Sequence, residues 1–256
     1  MKSPFLFIFG AITYVILGSS SSCTPQRQLI SEVPAEEVPV TTETQKVMPD
    51  NTNAHVRITT QYGDMIVKLY DETPQHRDNF LKLVDEGYYN DLIFHRVIKN
   101  FMIQGGDPDS RGAAPNARLG AGGPGYTVPA EFNNAFTHKK GVLSAARQGD
   151  QVNPKRASSG SQFYIVQGAP VQEAMLLNLE MRRNAGKDST NQFHYTPEDI
   201  EYFKTIGGTP HLDGEYTVFG EVIEGLSIVD SIGFVRTMPG DRPVEDVKMK
   251  MERVKK

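Results

Sequence analysis

Arg96, Phe101, Met102 and Gln104 fall within nine residues of one another in the stretch Phe94-His95-Arg96-Val97-Ile98-Lys99-Asn100-Phe101-Met102-Ile103-Gln104-Gly105-Gly106-Asp107. Two short apolar runs carry them and read as strands. An apolar floor, one fixed cation and one amide can then share a surface. Such a surface can hold a proline ring and act on its amide bond without nucleophile, metal or cofactor. Phe101 and Met102 alone would pass as ordinary core residues. The company of Arg96, Gln104 and the permissive Gly105-Gly106 pair is what gives them a second reading.

Other chemistries find less support. Gly120-Ala121-Gly122-Gly123-Pro124-Gly125 matches a dinucleotide-binding glycine pattern, but Tyr126-Thr127-Val128-Pro129 follows and cannot open the helix such a site needs. It reads as a turn-rich loop. The six histidines include no pair at i,i+4 spacing, and no cysteine accompanies them, so no metal site is expected. Ser158, Ser159 and Ser161 lack a nucleophile-elbow frame. His95 and Arg96 are neighbours on an expected strand and should point to opposite faces, which leaves His95 a hydrogen-bonded structural role. Phe163 and Tyr164 must split between faces in the same way. A net charge of −4 with dispersed lysines and arginines gives no reason to expect nucleic acid.

The elements that must position these residues begin at His55. Val56–Thr60 and Met65–Leu69 flank Gln61-Tyr62-Gly63-Asp64 as a hairpin. Thr73-Pro74 supplies a cap and first turn for a helix that Gly87 stops. Further strands are expected at Leu92–Val97, Phe101–Gln104, Thr127–Phe132, Val142–Ala146, Gln162–Val166 and Tyr216–Val222. A short helix should follow Gly225, and a closing strand should run from Val244 to Val254. Many short strands with few helices predict a mainly β fold, a closed antiparallel barrel. Val171–Pro210 breaks this rhythm with two helical patterns, Val171–Arg183 and Thr196–Ile206. It reads as an insertion between strands, too short for its own core, that packs on the barrel.

The chain has 256 residues. Lys2 precedes the apolar run Phe5–Leu17, which gives way to Gly18, four serines and Cys23. The run is shorter than the roughly 20 apolar residues of a spanning helix and has the order of an export signal. Cys23 is the only cysteine, so no intrachain disulfide can form. Its place resembles a bacterial lipoprotein processing site, with Ser22 fitting the small-residue requirement and Ser20 departing from the usual leucine. Residues 1–23 are thus expected to be a signal segment ending at a lipidated Cys23. Residues 24–54, rich in Pro, Ser, Thr, Glu and Gln, should be a disordered linker. As flexible coil, roughly 30 residues span about 30 Å. Residues 55–256 form the folded domain, with the insertion at 171–210.

Taken together, Phe94–Asp107, Gly141-Val142-Leu143-Ser144-Ala145-Ala146, Ser159-Gly160-Ser161-Gln162-Phe163-Tyr164-Ile165 and Leu212–Gly220 resemble, in order, the motifs of the cyclophilin peptidyl-prolyl cis-trans isomerases. The resemblance covers about His55 to Val254, less the insertion. It implies an eight-stranded barrel capped by two helices and an enzyme that rotates Xaa-Pro bonds. Carried over by position, Arg96 looks like the catalytic arginine, with Gln104 and the Ala146-Arg147 backbone holding the peptide. Phe101, Met102, Tyr164 and Leu212 look like the proline pocket, and Gln162 like the residue that orients the arginine side. His211 stands where a rim tryptophan is common, which argues against tight cyclosporin binding. Tyr216 replaces a histidine and could supply a ring and a hydrogen bond. The expected protein is a monomeric, membrane-tethered isomerase acting on proline-containing polypeptides and unfolded envelope proteins. The rival reading is a proline-segment-binding chaperone or scaffold that uses the insertion as its partner surface.

Overall fold

The computed structural model describes residues 54–254. The expected signal segment, Cys23 and nearly all of the linker lie outside them. Among the described residues no helix is long and apolar enough to cross a membrane.

The hairpin forms as expected, β1 (His55–Thr60) pairing with β2 (Gly63–Leu69). The turn reaches its tight geometry because Gly63 adopts φ 123°. Next comes α1 (Pro74–Asp85), which buries Phe80, Leu81, Leu83 and Val84. Thr73 is its N-cap residue, but its hydroxyl makes no capping bond. The carboxylate of Glu131 accepts instead from the amides of Gln75 (3.1 Å) and His76 (2.9 Å). A full negative charge at a helix N-terminus suits both its free donors and its dipole.

The remaining elements, in order, are β3 (Arg96–Ile98), β4 (Met102–Gly105), β5 (Thr127–Val128), β6 (Val142–Ala145), β7 (Ser158–Ser159), β8 (Phe163–Val166), α2 (Glu173–Asn184), α3 (Pro197–Thr205), β9 (Val218–Glu224), α4 (Leu226–Gly233) and β10 (Lys250–Val254). Eight strands make one antiparallel sheet in the order β10-β1-β2-β9-β6-β8-β4-β3. β5 and β7 form a small separate pair.

The expected closed barrel is corrected here. The sheet ends in β10 and β3, which share no ladder. The gap is spanned by irregular chain, with Phe94 N–H donating to Val247 O (2.9 Å) and Met249 N–H to Leu92 O (2.8 Å). Asp91 turns the chain at φ 64° just before this stretch, and Ile93 makes only an isolated bridge with Lys248, so no ladder runs between the two edges. At the other end Arg242 turns back on Asp246, so regular pairing starts only at Lys250.

Alternation along the strands sorts their side chains into two layers. Ile103, Leu143, Phe163 and Phe219 join the main core with Phe80, Phe94 and Val229. Their neighbours Met102, Val142, Tyr164 and Val218 form a second cluster on the other face. That second face carries the site.

The insertion departs from expectation in one respect. It has a small core of its own, Leu176, Phe193, Tyr195 and Phe203, backed by Val171 and Ile200. α3 opens with a full capping box, Thr196 accepting from the Asp199 amide while the Asp199 carboxylate accepts from Thr196 N–H. The return segment is stitched to the sheet body, Lys140 N–H donating to Gly207 O (3.0 Å) and Thr209 N–H to His138 O (2.8 Å).

Candidate active site

Strand register explains why a cation, an amide and a ring share one surface. Arg96 on β3 faces Gln104 on β4, Gln104 faces Tyr164 on β8, and Tyr164 faces Ser144 on β6. One row across four strands therefore points all of them to the second face. Met102, two residues before Gln104, points the same way. Above them lies an open groove of about 900 Å³. Arg96, Phe101, Met102, Gln104, Ala146, Arg147, Tyr164, Leu212 and Tyr216 all line it.

Two expected residues lie elsewhere. His211 is exposed and stacks on Phe101, with centroids 5.7 Å apart and planes at 23°. Gln162 lines an adjoining groove of about 780 Å³ that shares Gln104, Ala146 and Arg147. It accepts from Gln104 Nε2 (3.1 Å) and donates to Gly122 O (2.8 Å), so it orients Gln104 rather than the arginine. The partner of Arg96 is Asp241, whose Oδ2 lies 3.3 Å from Arg96 Nε. Asp241 sits at φ 66° in a turn behind Met238-Pro239-Gly240, and its carbonyl accepts from Val97 N–H (2.8 Å). Pro and Gly mark that turn in the sequence, yet nothing there tells that it folds against a strand 145 residues earlier.

Backbone roles shift as well. Ala146 N–H donates to Gln162 O (3.0 Å) and its carbonyl accepts from Ser159 N–H (2.8 Å), so its backbone already serves the fold. Arg147 is anchored through its side chain. Nε donates to Glu215 O (2.8 Å), Nη1 reaches Asp150 Oδ1 (2.5 Å), and the guanidinium lies 4.6 Å from the Tyr216 ring centroid. Tyr216 in turn meets Tyr164 edge-on at 5.7 Å and 85°. Tyr216 thus contributes a ring to the wall, and its hydroxyl makes no hydrogen bond among the described residues.

His95 is not the hydrogen-bonded residue expected. It is 4% exposed, and neither ring nitrogen has a partner. The nearby Asp107 carboxylate is already used by the amides of Asp109 and Gly120. Burial pulls the His95 pKa down to about 4, against the opposing pull of Asp107. A neutral imidazole therefore joins the groove lining beside Arg96 and Arg242.

Comparison with known proteins agrees with this geometry. Residues 55–254 match the family model described as cyclophilin type peptidyl-prolyl cis-trans isomerase/CLD. A putative peptidyl-prolyl cis-trans isomerase of Staphylococcus saprophyticus is 37% identical over 190 residues, covering 73% of this chain and 85% of that protein. A putative bifunctional phosphatase/peptidyl-prolyl cis-trans isomerase of Streptococcus pyogenes serotype M6 is 37% identical over 203 residues, but the match spans only 38% of its length. Among solved structures, a cyclophilin-type isomerase of Cryptosporidium parvum superposes with a TM-score of 0.56 at 26% identity, over 79% of this chain and 98% of that one. A second crystal structure of that protein, in the presence of the dipeptide Ala-Pro, gives the same TM-score at 25% identity, over 79% of this chain and 99% of that one. The chain belongs to the cyclophilin family and is a peptidyl-prolyl cis-trans isomerase of that type.

Proposed function

We propose that the groove binds an Xaa-Pro segment with the proline ring on Met102, Phe101, Tyr164 and Leu212, and that Arg96 lowers the barrier to rotation. Amide resonance sets that barrier at ~18–20 kcal/mol, and the uncatalysed process takes tens to hundreds of seconds. Reaching milliseconds requires lowering it by roughly 6 kcal/mol. As the bond twists, the proline nitrogen loses conjugation and becomes a better hydrogen-bond acceptor. A guanidinium beside it binds the twisted state better than either planar isomer, which is what accelerates the step. Arginine suits this because its fork is rigid and always charged. Asp241 holds the Nε of Arg96, whose side chain lines the groove. Gln104, steadied by Gln162, and the Arg147 backbone hold one side of the peptide while the other swings.

The supporting observation is the single cross-strand row that sets Arg96, Gln104 and Tyr164 over an unfilled apolar groove. The direct test is a protease-coupled isomerase assay on a proline peptide, in which wild-type protein without turnover would refute the reading.

The same reading places the enzyme in the bacterial envelope, where it would assist folding of exported polypeptides. Its support is the order Lys2, apolar run, serines, Cys23 and the Pro-rich linker. Labelled palmitate incorporated by wild type and lost in Cys23→Ala is the expected result. Label retained in the variant would overturn the anchor. A partner-binding role for the insertion is favoured by Met175, Leu177 and Met181, which are 44%, 48% and 65% exposed on α2. Leu177→Glu and Met181→Glu should then weaken client refolding without changing peptide turnover, and unaltered refolding would leave α2 a packing element.

A further inference from the structure

Tyr164 carries a hydroxyl that an apolar pocket for a proline ring does not need. That hydroxyl lies 3.0 Å from His138 Nε2, on the buried side of the ring. His138 Nδ1 lies 2.8 Å from Asp213 Oδ1, and the His138 backbone N–H donates to the same oxygen at 2.6 Å. The second Asp213 oxygen accepts from Tyr195 Oη at 2.7 Å. All four side chains are buried.

The direction of each bond follows from the chemistry. Burial pushes both phenols well above their ordinary pKa, so each keeps its proton and donates it. A carboxylate only accepts. Tyr195 therefore donates to Asp213, and Tyr164 donates to His138 Nε2. His138 must then carry its proton on Nδ1 and give it to Asp213. Each of the three side-chain protons then meets an acceptor along the buried row.

The two ends belong to different parts of the fold. Tyr195 sits in the insertion's own core, edge-on to Phe193 (4.8 Å) and Phe203 (5.7 Å). Tyr164 is the groove floor, and Asp213 directly follows Leu212, which forms part of its wall. We propose that Tyr195, Asp213 and His138 are positioning residues through which the helical insertion fixes the ring of Tyr164 and the adjoining Leu212 in the substrate groove. This rests on reading the groove as the proline site. It assigns the insertion a part in the isomerase itself, with the pocket shape depending on a hydroxyl about 30 residues further along the chain.

The test uses the full chain and a peptide containing Ala-Pro. Tyr195→Phe conserves volume and removes only the far end of the chain of bonds. It should raise KM about three- to fivefold while kcat stays within about twofold. Tyr164→Phe should do the same, and the double variant should be no worse than either single one, because both cut one linkage. In proton NMR, the low-field resonance of His138 Nδ1–H should shift in Tyr195→Phe. Multiplicative effects of the two substitutions would overturn the proposal, as would an unchanged KM with an unmoved resonance. Should Tyr195→Phe fail to fold, Tyr164→Phe carries the test by the same KM and resonance criteria. Failure of the groove reading would show separately, as an unchanged KM in Met102→Ala.

Discussion

Removing the guanidinium at position 96 tests the mechanism most directly. In Arg96→Ala the twisted imide loses one charge-assisted hydrogen bond, a contact worth about 1.5–3 kcal/mol when one partner is ionised. The Arg96 side chain is 43% exposed, so solvent screening favours the lower part of that range. A loss of about 1.4–2 kcal/mol corresponds to a ten- to thirtyfold fall in kcat/KM. The fall should lie mainly in kcat, because the contact strengthens only as the bond rotates. Stability should barely move. The ion pair with Asp241 is half exposed at both ends, and such pairs are worth roughly 0–1 kcal/mol. The assay is peptide isomerisation followed by protease coupling or NMR exchange, with thermal melting alongside. A variant that melts like wild type and turns over within twofold of it would remove Arg96 from the chemistry.

Three further outcomes follow from particular contacts. Because His95 is held neutral with a pKa near 4 against an ordinary 6.5, the unfolded chain binds more protons between those values, so stability should fall as pH drops from about 6.5 toward 4. The full shift amounts to about 3 kcal/mol. His95→Phe should flatten this acid limb, leaving the same-sign contributions of His76 and His211, whose pKa values burial also lowers, and an unchanged pH profile of melting would refute it. Gly106 adopts φ 89°, and a Cβ there would meet the Ser161 carbonyl and Gln162 Cα. Gly106→Ala should therefore cost more than about 2 kcal/mol and displace Gln162 from Gln104, whereas a melting point lowered by less than about 4 °C, roughly the smallest shift such a cost gives in a domain of this size, would count against it. Thr196→Ala removes the capping box of α3 and should cost about 1 kcal/mol, read by denaturant unfolding, with no change as the contrary result.

The sequence by itself determined which residues could meet. Alternation decided that Phe163 and Tyr164 part company, one to the core and one to the groove. It also put Met102 and Gln104 on one side of their strand, and cap, proline and glycine signals set the helices to within a few residues. These are local consequences of side-chain periodicity and backbone stereochemistry, so a linear reading reaches them. What needed tertiary structure was every pairing between distant segments. Asp241 rather than Gln162 holds Arg96, Glu131 rather than Thr73 caps α1, and Asp213 joins an insertion residue to the groove floor. His95 lost its expected partner for the same reason, since Asp107 was claimed by other amides once the chain closed around it. The sheet stayed open because the chain at Leu92–Phe94 meets Val247–Met249 through an isolated bridge and a few backbone bonds instead of a ladder. A carboxylate's choice among several donors depends on which of them folding brings within about 3 Å, and no spacing along the chain encodes that distance.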